Sequence, residues 1–266
     1  MTSDFLVKPG QKFSLDNCPT RVERFKDKAA ARSAAKAAAK DIADLSHRLY
    51  GEADRSLLIV LQGMDTSGKD GTTSAIFQRT PPLNVNVASF KAPSKTELAH
   101  DYLWRIHKVC PKAGQITVFN RSHYEDVLVV KVRGYASADK IEQRYDQINQ
   151  FERHLVENGT TILKFMLHIS PEVQGKRLRE RLIEPHKRWK FNPGDLEDRK
   201  LWPHFMQAYE TMVARTSTEH APWHVIPSDS RSVRGAIISQ IVKDTLVSMN
   251  PHYPDPGYRP ADFDIV

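Results

Sequence analysis

No run of about 18 apolar residues occurs in this chain, so a membrane-spanning helix is not expected. The first nine residues, Met1 to Pro9, lack the apolar core of a secretion signal. Cysteine is nearly absent. The two present, Cys18 and Cys110, stand far apart and in no metal-ligand spacing, which leaves reduced thiols and a cytoplasmic chain as the simple expectation. There is no internal repeat and no long linker, and 266 residues fit one large domain spanning 1–266. Acidic residues are in deficit: 32 Asp and Glu against 39 Lys and Arg leave a net charge of +7. That excess points to an acidic partner, whether nucleic acid, a membrane surface or a phosphate-rich substrate.

What the chain does have is Gly63-Met64-Asp65-Thr66-Ser67-Gly68-Lys69-Asp70. An apolar run from Ser56 to Gln62 precedes it and reads as a buried strand; Gly71 to Phe77 follows and reads as the start of a helix. A G-x-x-x-x-G-K match in that setting marks a P-loop. Gly63 and Gly68 let the backbone turn tightly, and the N–H groups of Thr66, Ser67, Gly68 and Gly71 become candidates to face an anion. Lys69 supplies positive charge for a β- or γ-type phosphate. Position 70 is Asp where a P-loop normally has Ser or Thr, and Asp65 is a second acid inside the loop. Two carboxylates beside a phosphate cradle repel phosphate unless a cation lies between them. A divalent ion is therefore implied, most simply Mg2+ with oxygen ligands, Asp65 being the candidate ligand. Asp70 alternatively complements the helix N-terminus.

Residues 1–26 read as an irregular arm. An alanine-rich helix follows from about Asp27 to Tyr50, ended by Gly51, its first half able to pack against another helix or a second subunit. Strands are expected at 85–90, 115–119, 161–169 and 223–227. Helices are expected from Ser94 to about Val109, opened by a capping box with Glu97, from Ala138 to Asn158, from Ser170, from about Asp195 to Arg215, and from Val233 to Met249. Strands alternating with helices give an α/β fold with a parallel, doubly wound five-stranded sheet. Asn120 and Arg121 then fall at the end of the strand beside the P-loop, facing phosphates and metal. From Glu172 to Lys190 the charges turn basic, with Arg177, Arg181, Lys187, Arg188 and Lys190 among them. This segment reads as part of a helical lid over about 172–222, or else as a solvated charged face.

Three motifs together carry a resemblance. They are the Gly63-to-Asp70 loop, Phe119-Asn120-Arg121-Ser122-His123-Tyr124-Glu125-Asp126, and Trp189-Lys190-Phe191-Asn192-Pro193-Gly194-Asp195. In order and spacing they resemble the family-2 polyphosphate kinases, from about Val7 to Tyr258. The resemblance implies a thymidylate-kinase-like P-loop kinase fold of three layers with a helical lid. It also implies magnesium-dependent phosphate transfer between inorganic polyphosphate and adenine or guanine nucleotides, by a homo-oligomer, dimer or tetramer. Lys69 would bind phosphate, Asp65 would take part in metal binding or acceptor activation, and Arg121 with the lid cations would line the phosphates. Lys91 and Arg105 join the basic set expected to meet polyphosphate. The Tyr124-Glu125-Asp126 form is similar to the branch that accepts both mono- and diphosphates, with Glu125 near the acceptor; its bland alternative is a helix-start acid. An ATP-dependent nucleotide kinase shares the fold. A nucleic-acid-binding P-loop protein would suit the charge, but no aromatic stacking motif supports it and no nucleic acid is expected.

Overall fold

Every residue of Ser56–Gln62 is buried, which is what the centre of a parallel sheet requires. The computed structural model describes residues 3–264. Its elements are, in chain order, α1 (Lys28–Glu52), β1 (Ser56–Gln62), α2 (Lys69–Phe77), β2 (Val85–Ser89), α3 (Lys95–Leu98), α4 (Trp104–His107), β3 (Ile116–Asn120), α5 (Val129–Val132), α6 (Ala138–Glu157), β4 (Thr160–His168), α7 (Pro171–Ile183), α8 (Gly194–Lys200), α9 (Trp202–Thr216), β5 (Trp223–Pro227) and α10 (Arg231–Met249). The five strands lie in the order β2-β3-β1-β4-β5, and every neighbouring pair is parallel. Alternate side chains of β1 feed two cores. Leu57, Ile59 and Leu61 pack with Ile42 and Leu49 of α1, Ile76 of α2 and Ile238 of α10. Leu58 and Val60 pack with Tyr145 and Ile148 of α6 and Met212 of α9. Helices on both faces make three layers, as expected from the alternation of elements.

The alanine-rich half of α1 finds its partner within the chain: Ala31 and Ala35 pack on Ala236 of α10. The N-cap is Asp27, whose carboxylate accepts from the Ala30 N–H at 2.7 Å. Gly51 does not end this helix. The helix runs on to Glu52 and closes at Ala53 in the left-handed region (φ 53°). Gly51 lacks a side chain for another reason: a Cβ there would lie 3.0 Å from the Tyr253 ring, which crosses at that point.

Two further expectations need correction. The capping box at Ser94 and Glu97 forms, but the helix does not reach Val109; it breaks into α3 and α4. The Asp101 carboxylate accepts from the N–H groups of Leu103 (3.0 Å) and Trp104 (3.1 Å), giving the backbone an alternative to a continuous helix. The single helix from Asp195 to Arg215 is two, α8 and α9, parted at Leu201. Pro203 has no N–H to continue the ladder and sits where proline is tolerated, in the first turn of α9. α2 and α10 each start two residues earlier than expected, at Lys69 and Arg231. The N-terminal arm closes the β5 edge, with Leu6 bridging His224 and the Val7 N–H donating to the Trp223 carbonyl at 2.8 Å.

Candidate active site

The turn from β1 into α2 is built on unusual backbone. Gly63 and Gly68 have φ of 147° and 105°, and Thr66, with a Cβ, is held at 62°. A Cβ on Gly68 would stand 2.4 Å from a guanidinium nitrogen of Arg234. Gly68→Ala therefore meets both a positive φ and a cation that cannot withdraw. We expect its melting temperature to fall by roughly 5–10 °C, the effect of about 2–3 kcal/mol in a chain of this size. A melt within about 1 °C of wild type in differential scanning calorimetry would show that Arg234 does not close on this glycine.

Two buried arginines back the loop. Arg177 of α7 donates to the carbonyls of Thr66 (2.9 Å), Ser228 (2.9 Å) and Asp229 (2.9 Å). Arg234 of α10 donates to the Ser67 carbonyl (2.8 Å) and the Thr72 hydroxyl (2.9 Å). Burial pushes both guanidiniums down, to about 10 for Arg177 and about 9 for Arg234. Their hydrogen bonds go to carbonyls and a hydroxyl, so their charge is left to act on the mouth of the loop. The buried hydroxyls of Thr66 and Ser67 have no partner among the described residues, which leaves two polar atoms for a ligand oxygen.

Lys69 opens α2 and is 8 % exposed. Its ammonium donates back to the Gly63 carbonyl at 2.7 Å, and burial followed by Arg121 pushes it below its ordinary value. Arg121 sits past the end of β3 in the left-handed region (φ 63°), an arrangement costing about 1–2 kcal/mol that tertiary contacts must hold. Its guanidinium meets the Asp65 carboxylate at 2.6 Å. Burial pushes the Asp65 carboxyl up, but Lys69 and Arg121 outweigh it and keep it below the usual carboxylate range. Asp70 accepts from the Asn120 amide at 2.6 Å and the Lys190 ammonium at 3.3 Å, so the loop's two acids are each met by a partner from across the cleft.

Glu125 follows in a short turn over His123–Asp126, capped by the Ser122 hydroxyl on the Tyr124 N–H (3.2 Å). With the Gln62 amide oriented to satisfy both its ends, its nitrogen donates to Glu125 at 3.1 Å and its oxygen accepts from the Ser122 N–H at 3.2 Å. Burial pushes the Glu125 carboxyl above its ordinary value, against Arg121 and Lys69. Behind this turn lies a buried polar cluster. The Lys164 ammonium reaches Glu152 at 2.6 Å, the Tyr124 hydroxyl at 2.8 Å and the Thr216 carbonyl at 2.7 Å, and Tyr124 donates to Glu152 at 2.6 Å.

A cavity of about 520 Å³ opens between the loop, the end of β3 and the α7–α8 segment. Asp65, Thr66, Gly68, Lys69, Asp70, Gly71, Asn120 and Arg121 line one side; Arg181, Lys187 and Lys190 face them, with Arg177 at the base. Gly63 and Ser67 belong to the loop behind. Four other expected members are not among its lining residues, and one of them, Glu125, is held by the Gln62 amide beside Arg121 and Lys69. Arg105 donates to the Lys91 carbonyl at 2.9 Å, so that pair forms a separate cluster beyond β2, and Arg188 folds back on the Leu182 carbonyl at 3.0 Å. Arg177, expected among mobile lid cations, is instead 6 % exposed and fixed by backbone carbonyls, because α7 packs against the loop here. Arg234 and Arg231 escaped the sequence reading; both come from α10, and only the tertiary fold brings them to the loop. Asp195 of α8 pairs with Arg181 at 3.0 Å, and burial with Asp65 nearby pushes its carboxyl up to about 6.

Comparison with known proteins shows the family. The profile of the family described as Polyphosphate kinase 2 (PPK2) matches residues 25–254. The chain is 46 % identical over 254 residues to an AMP/ADP-polyphosphate phosphotransferase of Meiothermus ruber, covering 95 % of each chain. It is 38 % identical to an ADP-polyphosphate phosphotransferase of Rhodopseudomonas palustris, covering 96 % of this chain and 92 % of that one. Among solved structures, polyphosphate kinase 2 from Arthrobacter aurescens superposes with a TM-score of 0.94 at 39 % identity, over 98 % of this chain and 94 % of that one.

Proposed function

The chain belongs to the polyphosphate kinase 2 family, and on that premise we propose that it transfers phosphate between inorganic polyphosphate and nucleotides, ADP to ATP and AMP to ADP. The observation that carries this reading is the P-loop cavity. Two buried guanidiniums stand behind the loop, partnerless hydroxyls lie within it, and lid cations face it across the cleft. Such a site works by positioning phosphates and neutralising their charge, not by covalent chemistry. Lys69 and Arg121 place positive charge on the group in transit. Arg181, Lys187 and Lys190 close from the α7–α8 segment and exclude water, so that phosphate goes to an acceptor and not to hydrolysis.

Asp65 and Asp70 are hard oxygen donors on the same cavity wall, and among the described residues no cluster of three His, Cys, Asp or Glu side chains forms a self-sufficient metal site. That donor set fits Mg2+, which keeps several waters and takes phosphate oxygens as ligands. Asp65 would hold it, with Asp70 beside, and bound there it would neutralise charge on the phosphate oxygens.

The test is purified protein with ADP, Mg2+ and either long-chain polyphosphate or, with AMP as acceptor, ATP. ATP formation from polyphosphate is expected. Turnover with ATP as the only donor would make the chain an ordinary nucleotide kinase. Salt-sensitive oligonucleotide binding without turnover would make it a nucleic-acid-binding protein.

Glu125 carries the acceptor reading. An acid held beside Arg121 and Lys69 can act on a monophosphate acceptor through water or a second metal ion standing in for the missing phosphate. Glu125→Asn keeps polarity and removes charge. The ratio of AMP to ADP phosphorylation should shift about ten-fold, more than the sum of the two rates changes. Equal loss of both rates would make Glu125 a general catalytic or structural residue.

A further inference from the structure

Beside the P-loop cavity runs a second, larger groove of about 890 Å³, between α1, α2, α7 and the start of α10. The two share Gly71, Arg177, Glu180 and Arg231, so they are continuous. Three cations of α1 line the groove: Lys28, Arg32 and Lys36. Their spacing of four residues stacks them on one helix face, with a rise of about 6 Å per step. All three are exposed, and none has an ion pair or hydrogen bond among the described residues. Lys176 of α7 also lines the groove; among the described residues it is in no ion pair, though its charge acts on Glu180 one turn along the helix.

The groove's two acids, Glu180 and Asp229, are outnumbered by the lysines and arginines that line it. Glu180 is paired with Arg231 at 2.9 Å, and Asp229 accepts from the Thr20 hydroxyl and the Ser170 N–H, each at 2.8 Å. Lys28 opens α1 directly after the Asp27 N-cap, whose carboxylate already serves the helix N-terminus, while Arg32 and Lys36 lie beyond its first turn. A row of cations leading out of a phosphate site fits a linear polyanion that enters that site by one end.

We propose that the face of α1 carrying Lys28, Arg32 and Lys36 is a subsite for the distal phosphates of a long polyphosphate donor, making the enzyme sensitive to chain length. The proposal rests on the phosphotransferase reading. Nucleic acid is the poorer fit, because no aromatic side chain lines the groove on which a base could stack.

The test is the triple variant Lys28→Ala/Arg32→Ala/Lys36→Ala, whose exposed positions tolerate alanine within a helix. KM is measured with ADP and, in turn, long-chain polyphosphate and tripolyphosphate, and binding of labelled long-chain polyphosphate is followed by fluorescence anisotropy against salt. KM for the long chain should rise about ten-fold, from three exposed ionic contacts. KM for tripolyphosphate, too short to leave the P-loop cavity, should stay within about two-fold, well inside the worth of one such contact. The log–log salt slope of binding should become shallower by about two, as for loss of three phosphate contacts to a single strand. Equal rises for both donors, or no rise for either, would overturn the subsite. So would an oligonucleotide that displaces long-chain polyphosphate from wild type at equal phosphate concentration but no longer binds the variant, which would assign the groove to nucleic acid. A wild-type protein that turns over neither donor would instead remove the phosphotransferase reading itself.

Discussion

Lys69→Ala is expected to slow polyphosphate-dependent ATP formation about 1,000-fold, the scale of losing one preorganised charge from a reacting group. Its ammonium does two things in the fold. It ties the Gly63 carbonyl at 2.7 Å and brings a buried cation to the P-loop cavity. Alanine removes both. Because Arg177 and Arg234 still stand behind the loop, much of the field that holds bound phosphates remains. The loss should therefore fall on kcat more than on the KM for polyphosphate. The side chain is 8 % exposed, so deleting it also removes packing and a hydrogen bond. A fall of roughly 2–6 °C in Tm is expected, corresponding to about 1–2 kcal/mol. Initial rates and a thermal melt on the same preparation check both parts. Near-normal turnover would remove the P-loop assignment, and a Tm fall far beyond that range would mean that the rate loss reports unfolding.

The second large effect is on stability. Lys164→Met should lower Tm by roughly 10 °C, since breaking a buried pair from one side costs about 3–5 kcal/mol. Lys164 and Glu152 are both fully buried. Burial pushes the Glu152 carboxyl up, and Lys164 together with His123, at 3.2 Å, more than reverses it, so removing the lysine takes the larger of these partners from a carboxylate in the core. Glu152→Met/Lys164→Met removes both charges and should recover part of the loss. Recovery is incomplete because the Tyr124 hydroxyl and the Thr216 carbonyl lose their partners as well. Calorimetry of the two variants beside wild type decides it. A single variant that melts like wild type, or a double variant less stable than the single, would show that the ion pair is not what holds this cluster.

That cluster shows where the sequence was legible and where it was not. The sheet could be read because each strand is a short apolar run and the parallel core needs nothing else. The P-loop could be read because its glycines and lysine are contiguous between a strand and a helix. A lysine in the middle of the apolar Thr160–His168 run was a visible anomaly, yet its partner lies on α6, on a face that otherwise reads as an apolar stripe. Arg234 gave no local signal, since it reaches Ser67 across 167 positions. In the basic segment, charge alone could not separate Arg177, fixed on carbonyls, from Lys187 and Lys190, which face the cavity. The breaks at Asp101 and Leu201 depend on a side-chain acceptor and a proline position whose effect emerges only when the competing helix is weighed against tertiary contacts.

The crossing of Tyr253 over Gly51 has a practical consequence. That contact, together with the Arg55 guanidinium on the Met249 carbonyl at 2.6 Å, pins the chain after α10 against the end of α1 where β1 begins. The P-loop lies at the other end of β1, a seven-residue strand spanning roughly 23 Å. A resin, bead or electrode coupled through an exposed position of this tail would hold the molecule from beneath. The phosphate cleft and the basic groove would then face the solution, and a reactor using polyphosphate as a cheap donor would not have its polymer blocked by the support.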